Sequence, residues 1–369
     1  MNREANAMNV MNVMVAMSGG VDSSVAAALL ARQGHDVVGV TMRLWGGESD
    51  TGCCSVTDVD DARRAADEIG IEHLVFNFSD DFNTHVVDPY VAAHVAGATP
   101  NPCIECNRKV KFARLSERAA VLGFDAVATG HHARVAAVES RLRLERGADR
   151  AKDQSYVVHM LGQNDLARTL FPVGDYAKSD VRRLAAELGL RTAQKPDSQD
   201  VCFITSTGGR AEFLGRRIPF SPATVVDSDG AVLGAVPAVE LVTVGQRKGL
   251  GLSGGGPKRF VLSVDRSTST VVVGDESELM DAGLTVKDMT WTDGPVDGDV
   301  LVQVSAHGTP QPATAFVEPD GLVGSEMCIR DSPRTAHPVQ PGHGRRFRRR
   351  RARRRAGRGA GHDLSLIHI

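Results

Sequence analysis

The stretch Ala16-Met17-Ser18-Gly19-Gly20-Val21-Asp22-Ser23-Ser24 decides the fold of the N-terminal half of this chain. The apolar run before it, residues 11–16, predicts a buried strand. The alanine-rich run after it, residues 25–34, predicts a helix that ends at a glycine. A strand, a glycine-rich turn and the N-terminus of a helix therefore follow one another directly.

Such a turn is suited to binding phosphate. Two adjacent glycines let the backbone approach an anion closely, and a helix N-terminus presents N–H groups and a positive dipole end. Ser18, Ser23 and Ser24 add hydroxyl donors, and Asp22 is a candidate partner of magnesium or of the pyrophosphate. The turn lacks the lysine of a Walker-type loop. An ordinary strand-to-helix turn is the alternative for a bare glycine pair, and the full string SGGVDSS disfavours it.

Strands and helices alternate along the next hundred or so residues. Further strands are predicted at residues 36–45, 73–78 and 125–129. Helices are predicted at residues 58–70, 80–97 and 108–123. This alternation predicts an α/β domain with a doubly wound parallel sheet, in which ligands bind at the carboxyl ends of the strands. Both SGGVDSS and the segment Thr129-Gly130-His131-His132 follow such strand ends.

Two cysteine segments are candidate sites of thiol chemistry. Cys103 and Cys106 lie in a proline-stiffened loop, and Cys106 comes just before the helix predicted from Arg108. Helix dipoles and nearby cations lower a thiol pKa, which favours Cys106 as a thiolate. The CxxC spacing leaves open a metal or cluster site, a redox pair, one working thiol, or two inert cysteines. Cys202 begins a later apolar run, where a buried core cysteine is the alternative.

Composition excludes several classes of protein. The chain has 369 residues, no apolar run long enough to cross a membrane and no signal-peptide pattern, so we expect a cytoplasmic protein without a membrane partner. Its six cysteines indicate a reducing compartment rather than a disulfide scaffold. The net charge of −2 conceals an asymmetry, because residues 330–369 contain 12 arginines and residues 1–329 carry a net charge of −12. Because residues 1–329 are acidic overall, we expect any contact with RNA to come from local basic patches rather than from a general attraction.

Taken together, these motifs resemble the bacterial tRNA-specific 2-thiouridylase family (MnmA/TrmU) of the PP-loop ATP pyrophosphatases. The resemblance covers about residues 13–316 and rests on six segments in the family's order: SGGVDSS, NPCIECNRKVKF, ATGHHARV, KDQSY, DSQDVCFI and VGQRKGLGL. It implies that ATP adenylates the C2 oxygen of a wobble uridine in tRNA. A cysteine persulfide then supplies sulfur, and the product is 2-thiouridine.

The resemblance also implies site residues and partners. Cys106 would be the nucleophile and Cys202 the carrier of the persulfide. The positions that match ATP contacts are Ala16, Met17, Ser18, Gly19, Gly20, Val21, Asp22, Ser23, Met42 and Gly130. The positions that match tRNA contacts are Asn101, Pro102 and Cys103 at the target base, with His131, Lys152, Asp153 and Gln154 elsewhere. Magnesium is expected with ATP, no separate metal site is assigned, and a cysteine desulfurase or sulfur relay protein is the expected donor.

The resemblance predicts four parts of the chain. A PP-loop catalytic domain is expected at 10–205, a small β-rich central domain at 206–283 and a truncated C-terminal β-barrel at 284–320. Residues 321–369 read as a non-native or disordered tail, with an arginine-rich RNA arm as the alternative. The chain departs from the family at Cys103, where some members have an aspartate proposed as acid or base, and at Ser305, where an arginine is expected.

Two other functions remain open on the sequence. One is a different PP-loop adenylating ligase, such as a GMP, NAD or argininosuccinate synthetase, which does not need the paired thiols. The other is an iron–sulfur-dependent tRNA thiolase in which Cys103, Cys106 and Cys202 hold a cluster with an open iron position. A pyrophosphate-release assay with each substrate separates the first, and a brown chromophore after anaerobic purification identifies the second.

Overall fold

The computed structural model describes most of the chain in two compact units that divide mainly between residues 221 and 222. The described residues are 10–44, 56–197, 201, 203–204, 209–252, 256–279, 283–286, 289–291, 294–304, 308–317, 323–327 and 366–368. The predicted persulfide carrier Cys202 and the departure at Ser305 lie outside them. No helix within the described ranges is long and apolar enough to cross a membrane.

The first unit contains a parallel sheet and a hairpin. Its strands are β1 (Asn12–Ala16), β2 (Asp36–Arg43), β3 (Glu72–Asn77), β4 (Ala126–Thr129), β5 (Ala133–Val138), β6 (Arg141–Arg146) and β7 (Thr169–Leu170). Five of them form a sheet of order β3-β2-β1-β4-β7 in which every pairing is parallel. The doubly wound α/β class is confirmed. Because the chain runs from β1 to β2 on one side and returns to β4 on the other, the turn after β1 lies at the topological switch point.

Helices of the first unit fill the connections. They are α1 (Val21–Arg32), α2 (Val56–Ile69), α3 (Ser79–Phe82), α4 (Asp88–Val95), α5 (Pro102–Glu105), α6 (Leu115–Val121), α7 (Gln163–Leu166), α8 (Lys178–Glu187) and α9 (Gly209–Gly215). Two π-helical segments, Asn83–Val87 and Cys106–Arg114, join α3 to α4 and α5 to α6. Short 3-10 turns cover Ser155–Val157 and Arg191–Gln194.

Helix α1 is held from two sides, which fixes the turn at its N-terminus. Ala27 and Leu30 pack with Val13 and Val15 of β1 and with the alanines of α2. The other side, through Val25 and its neighbours, packs on the Val181 and Ala185 side of α8. The small side chains of α1 permit this close approach, and burial of the strand and helix positions provides the favourable free energy that holds the turn.

The helix that carries the CxxC pair begins earlier than predicted. Helical residues run without interruption from Pro102 to Val121, so the predicted start at Arg108 is wrong. Asn101 is the N-cap, because its side-chain oxygen accepts the N–H of Cys103 at 3.0 Å, and Pro102 occupies the first helical position. Both residues are typical of helix starts as well as of loops. Cys106 therefore lies inside the helical run, and the dipole argument for its thiolate does not hold.

Within its described residues, the second unit consists of β strands and two 3-10 turns, Val239–Leu241 and Glu276–Leu279. A four-stranded sheet of order β10-β11-β8-β9 comprises β8 (Ala223–Val226), β9 (Val232–Val236), β10 (Phe260–Asp265) and β11 (Thr270–Gly274). A five-stranded sheet of order β12-β15-β14-β13-β16 comprises β12 (Gly283–Val286), β13 (Gly298–Gln303), β14 (Gln311–Val317), β15 (Val323–Met327) and β16 (Leu366–His368). Strand pairing thus continues past residue 320, because β15 pairs with both β12 and β14.

Candidate active site

The turn after β1 has a shape that only glycine permits. Gly19 has a φ of +70°, and a Cβ atom there would lie 2.4 Å from the carbonyl oxygen of Asp58 in α2. The hydroxyl of Ser23 accepts the N–H of Ser18 at 3.2 Å and donates to the carbonyl of Gly20 at 3.1 Å. The turn is therefore closely packed against α2 and braced from within, as a preformed phosphate cradle requires.

The predicted ATP residues meet at one edge of the sheet. The SGGVDSS turn follows β1, Met42 lies near the end of β2, and Gly130 follows β4. A Cβ atom on Gly130 would lie 2.6 Å from the backbone nitrogen of Ser23, so β4 ends directly against the start of α1. The three strands are neighbours in the sheet, and their carboxyl ends form one site.

Asp22 is engaged by two residues that sequence reasoning did not select. Lys178 donates from its ammonium to both carboxylate oxygens of Asp22, at 2.6 and 2.7 Å, and His132 Nε2 lies 3.2 Å from Oδ1. Burial disfavours the charged carboxylate, but the hydrogen bonds from His132 and Lys178 outweigh burial and lower the pKa of Asp22. His132 adjoins a selected residue in the HH pair, whereas no sequence motif marks Lys178.

The Asp197 carboxylate is paired with three cationic side chains, one in the KDQSY segment and two on α8. Its carboxylate accepts from Lys152 at 2.9 Å, Lys178 at 2.9 Å and Arg182 at 2.7 Å. Burial disfavours its charged form, but the hydrogen bonds from Lys152 and Lys178 prevail and lower its pKa to about 2. Asp197 stands five residues before Cys202 in the sequence. Asp22 of the SGGVDSS turn and Lys152, a predicted tRNA contact, are thus linked through Lys178 and Asp197.

The three residues of the KDQ segment occupy different environments. Asp153 is buried, and its carboxylate accepts from Arg146 at 2.8 Å and from the N–H of Gly147 at 3.0 Å. Gln154 accepts the N–H of His132 at 3.0 Å. The Lys152 side chain is 43% exposed. Asp153 and Gln154 therefore hold the loop and His132 in place, while Lys152 is accessible to a partner.

His131 has an apolar, half-buried setting. Its Nδ1 lies 2.7 Å from the hydroxyl of Thr129, and its ring centroid lies 6.0 Å from Phe112 and 6.2 Å from Phe171. Burial lowers the pKa of His131 to about 3, and the charges of Lys111 and His132 act in the same direction. The ring is neutral at physiological pH, so a contact with tRNA here would use hydrogen bonding or stacking rather than an ion pair with phosphate.

The CxxC pair differs in exposure. Cys103 follows the N-cap residue Asn101 and is half-buried, whereas Cys106 is 6% exposed. Within the described ranges, no group of three or more His, Cys, Asp or Glu side chains could hold a metal ion. Cys202 lies outside those ranges, so a cluster of three cysteines and a pairing of Cys106 with Cys202 stay predictions.

The fold and the turn define a class of ATP-using enzyme. Residues 11–206 match the family described as the tRNA methyl transferase HUP domain, and residues 211–275 match the tRNA methyl transferase PRC-barrel domain. The first match covers the parallel sheet and the SGGVDSS turn, and it supports the use of ATP.

Relatives narrow the class to one family. A tRNA-specific 2-thiouridylase MnmA of Chloroflexus aurantiacus is 47% identical over 84% of this chain and 89% of its own length. The relative of the same name in Mycobacteroides abscessus is 48% identical over 89% of this chain and 94% of its own length. The chain belongs to the tRNA-specific 2-thiouridylase MnmA family, as the six segments predicted. Its class of enzyme is tRNA sulfurtransferase.

Solved structures of lower similarity match about half of the chain. U34-tRNA thiolase NcsA from Methanococcus maripaludis, with its 4Fe-4S cluster, has 18% identity and a TM-score of 0.37 over 57% of this chain and 66% of its own. A 4-thiouridine synthetase in complex with RNA and ATP has 19% identity and a TM-score of 0.35 over 52% of this chain and 45% of its own. Likeness at this level supports no argument about cofactor or substrate.

Proposed function

We propose that this chain makes 2-thiouridine in tRNA by two steps, ATP-dependent activation of the uridine and then sulfur transfer. Family membership supports the overall reaction. The observation that supports the first step is the meeting of the ends of β1, β2 and β4, where Gly19 and Gly130 leave no room for a side chain. Such a closely packed backbone turn at a helix N-terminus suits a triphosphate.

In the first step, the C2 oxygen of the uridine attacks the α-phosphorus of ATP. An oxygen–phosphorus bond forms, the bond between the α and β phosphates breaks, and pyrophosphate leaves while the uridine N3 proton is lost. We assign ATP contacts to the segment Ala16–Ser23, Met42 and Gly130, which the fold brings to one edge. Backbone N–H groups of the turn and the hydroxyl of Ser18 would be the donors that stabilise the charge developing on the phosphates.

Magnesium was expected with ATP, with Asp22 as its candidate partner. Both carboxylate oxygens of Asp22 accept hydrogen bonds from the Lys178 ammonium, so this carboxylate does not fit a direct metal ligand in the observed arrangement. Magnesium and the Lys178 ammonium would compete for the same two carboxylate oxygens of Asp22. The activation step is therefore assigned to the protein's own donors, and no residue is assigned to the ion.

In the second step, the terminal sulfur of a persulfide on Cys202 attacks the uridine C2, and AMP leaves with the former C2 oxygen. Cys106 then attacks the Cys202 sulfur, which breaks the sulfur–sulfur bond, leaves one sulfur on the base and forms a Cys106–Cys202 disulfide. In the alternative order, Cys106 attacks the persulfide first and releases sulfide, which attacks C2. Both orders end with the same disulfide, which an external thiol must reduce.

Contacts with tRNA are proposed on the same side of the site. Asn101, Pro102 and Cys103 would meet the target base at the start of α5, and Lys152 and neutral His131 would contact the neighbouring nucleotides. Asp153 and Gln154 support this surface from within. A cysteine desulfurase or a sulfur relay protein would load Cys202, and the reaction would take place in the cytoplasm, where tRNA is available.

Pyrophosphate release tests the proposal. The chain should release pyrophosphate from ATP when unmodified tRNA is present, and Gly130→Ala should lose this release, because its Cβ atom would lie 2.6 Å from the backbone nitrogen of Ser23 and shift the SGGVDSS turn. Release that depends instead on a substrate of a GMP, NAD or argininosuccinate synthetase would establish the alternative ligase. A brown chromophore with iron and sulfide in the anaerobically purified protein would replace the persulfide step with cluster chemistry.

A further inference from the structure

Lys178 holds a buried position between two carboxylates. Its ammonium lies 2.6 Å from the nearer Asp22 oxygen and 2.9 Å from Asp197, and its side chain is 11% exposed. Its backbone N–H donates to Asp149 at 3.0 Å, which fixes the first residue of α8. Lysine is rarely this buried unless its charge is paired. Lys178 is therefore held in place by a hydrogen bond from its backbone and by the pairing of its side-chain charge.

The charge of Lys178 matters to an anion that approaches the turn. Asp22 belongs to the first turn of α1, where the helix N-terminus would otherwise favour phosphate. An uncompensated carboxylate at this place would repel a triphosphate, and the repulsion would be strong because the site is partly shielded from water. Lys178 removes that repulsion through its contacts with both Asp22 oxygens.

A second set of contacts fastens the segment that contains Asp197. Lys195, two residues earlier, donates to Asp58 at 2.7 Å and to Asp61 at 2.6 Å, both on α2. The carbonyl of Asp58 is the atom that packs against Gly19. The segment 195–197 is thus tied to the ATP turn twice, through α2 by Lys195 and through Lys178 by Asp197.

We propose that Lys178 is a positioning residue of the ATP site, which neutralises Asp22 so that the turn accepts a triphosphate. Its bond to Asp197 fixes segment 195–197 against the same turn. This inference rests on the proposed function in one respect, the binding of ATP phosphates at the SGGVDSS turn. It assigns a role to a residue that no motif marks and that touches Asp22 rather than the reacting atoms.

Calorimetric titration with ATP in the absence of tRNA measures this role. Lys178→Met should weaken ATP binding roughly 10- to 100-fold, because it leaves the Asp22 carboxylate unpaired beside the phosphates. Lys178→Arg keeps the charge and should bind within about three-fold of the wild type. The double variant Lys178→Met with Asp22→Asn should bind ATP more tightly than Lys178→Met, because it removes the unpaired charge. Arg183→Met, an exposed position on α8, is the matched control and should bind as the wild type does.

Three results would overturn the inference. They are wild-type ATP affinity in folded Lys178→Met, loss of affinity in folded Lys178→Arg, and no recovery in the double variant. If Lys178→Met does not fold, Lys178→Gln and the double variant give the same comparison, and the arginine variant still decides whether the charge is required. Wild-type protein that binds ATP but releases no pyrophosphate with tRNA would refute the proposed function and leave this inference standing.

Discussion

At the scale of single residues, Cys106 and Cys202 are proposed to carry the sulfur chemistry, and their expected roles differ. Cys202→Ser should abolish loading of a persulfide by a cysteine desulfurase with cysteine. Cys106→Ser should still accept the persulfide but form no 2-thiouridine, because the second sulfur bond then has no thiol to take it. Mass spectrometry of the Cys202 peptide and of tRNA nucleosides measures both. Full thiolation by Cys106→Ser would show that Cys106 is not the nucleophile, and equal loss on Cys103→Ser would favour the cluster alternative.

The lowered pKa of His131 predicts that the folded chain loses stability as the pH falls below about 6.5. Its pKa is about 3 in the folded chain, below the ordinary value of 6.5, so the unfolded chain takes up this proton first as the pH falls. The stabilisation from neutral His131 is complete above about pH 6.5 and is lost progressively towards pH 3. His131→Gln should therefore show a smaller fall of Tm between pH 6.5 and 4 than the wild type. Equal falls of Tm in the two proteins would contradict the assignment of a neutral His131.

Residue identity allowed the turn to be predicted but not its partners. Gly19 and Gly130 are recognisable because close packing of backbone leaves a local signature in the sequence. Lys178 contacts both Asp22 and Asp197, which lie far from each other in the sequence, and such pairs carry no local signature. Asp153 is the opposite case. Its segment is polar and is predicted to contact tRNA, but its carboxylate points inward and accepts hydrogen bonds from Arg146 and Gly147.

At the scale of elements, the contact between the end of β4 and the start of α1 is open to a direct test. Gly130→Ala should abolish ATP binding, because its Cβ atom would lie 2.6 Å from the backbone nitrogen of Ser23 and force the turn to shift. Gly256→Ala is the control, since a Cβ atom there meets nothing within 4 Å. Calorimetric titration with ATP provides the measurement. Wild-type affinity in Gly130→Ala would mean that the phosphates bind elsewhere.

The elements themselves were largely predictable, with two instructive exceptions. The parallel strands follow from buried apolar runs such as Val13 to Val15, whose burial on both faces leaves little alternative. The predicted helix start at Arg108 is too late, because the pair Asn101-Pro102 is compatible with two structures. Asparagine followed by proline occurs in loops, and it also occurs as an N-cap followed by the first helical residue. The β5–β6 hairpin was missed although the alternation in residues 141–144 is typical of a strand.

At the scale of the whole molecule, two truncations test the C-terminal region. Removal of residues 318–369 takes away β15, which pairs with both β12 and β14, and should lower the thermal stability of that sheet. Removal of residues 328–369 keeps β15 but removes the edge strand β16, which pairs with β13, and should leave ATP affinity and tRNA affinity unchanged. If this second truncation lowers tRNA affinity and flattens its dependence on salt, the arginine-rich tail is an RNA arm.

The measurement that tests the central claim most directly is nucleoside mass spectrometry of unmodified tRNA after incubation with the full chain, a cysteine desulfurase, cysteine and a thiol reductant. The account predicts 2-thiouridine only when ATP is added, with one pyrophosphate released for each thiolated uridine. Thiolation without ATP, or tRNA and ATP binding with no 2-thiouridine formed, would contradict it.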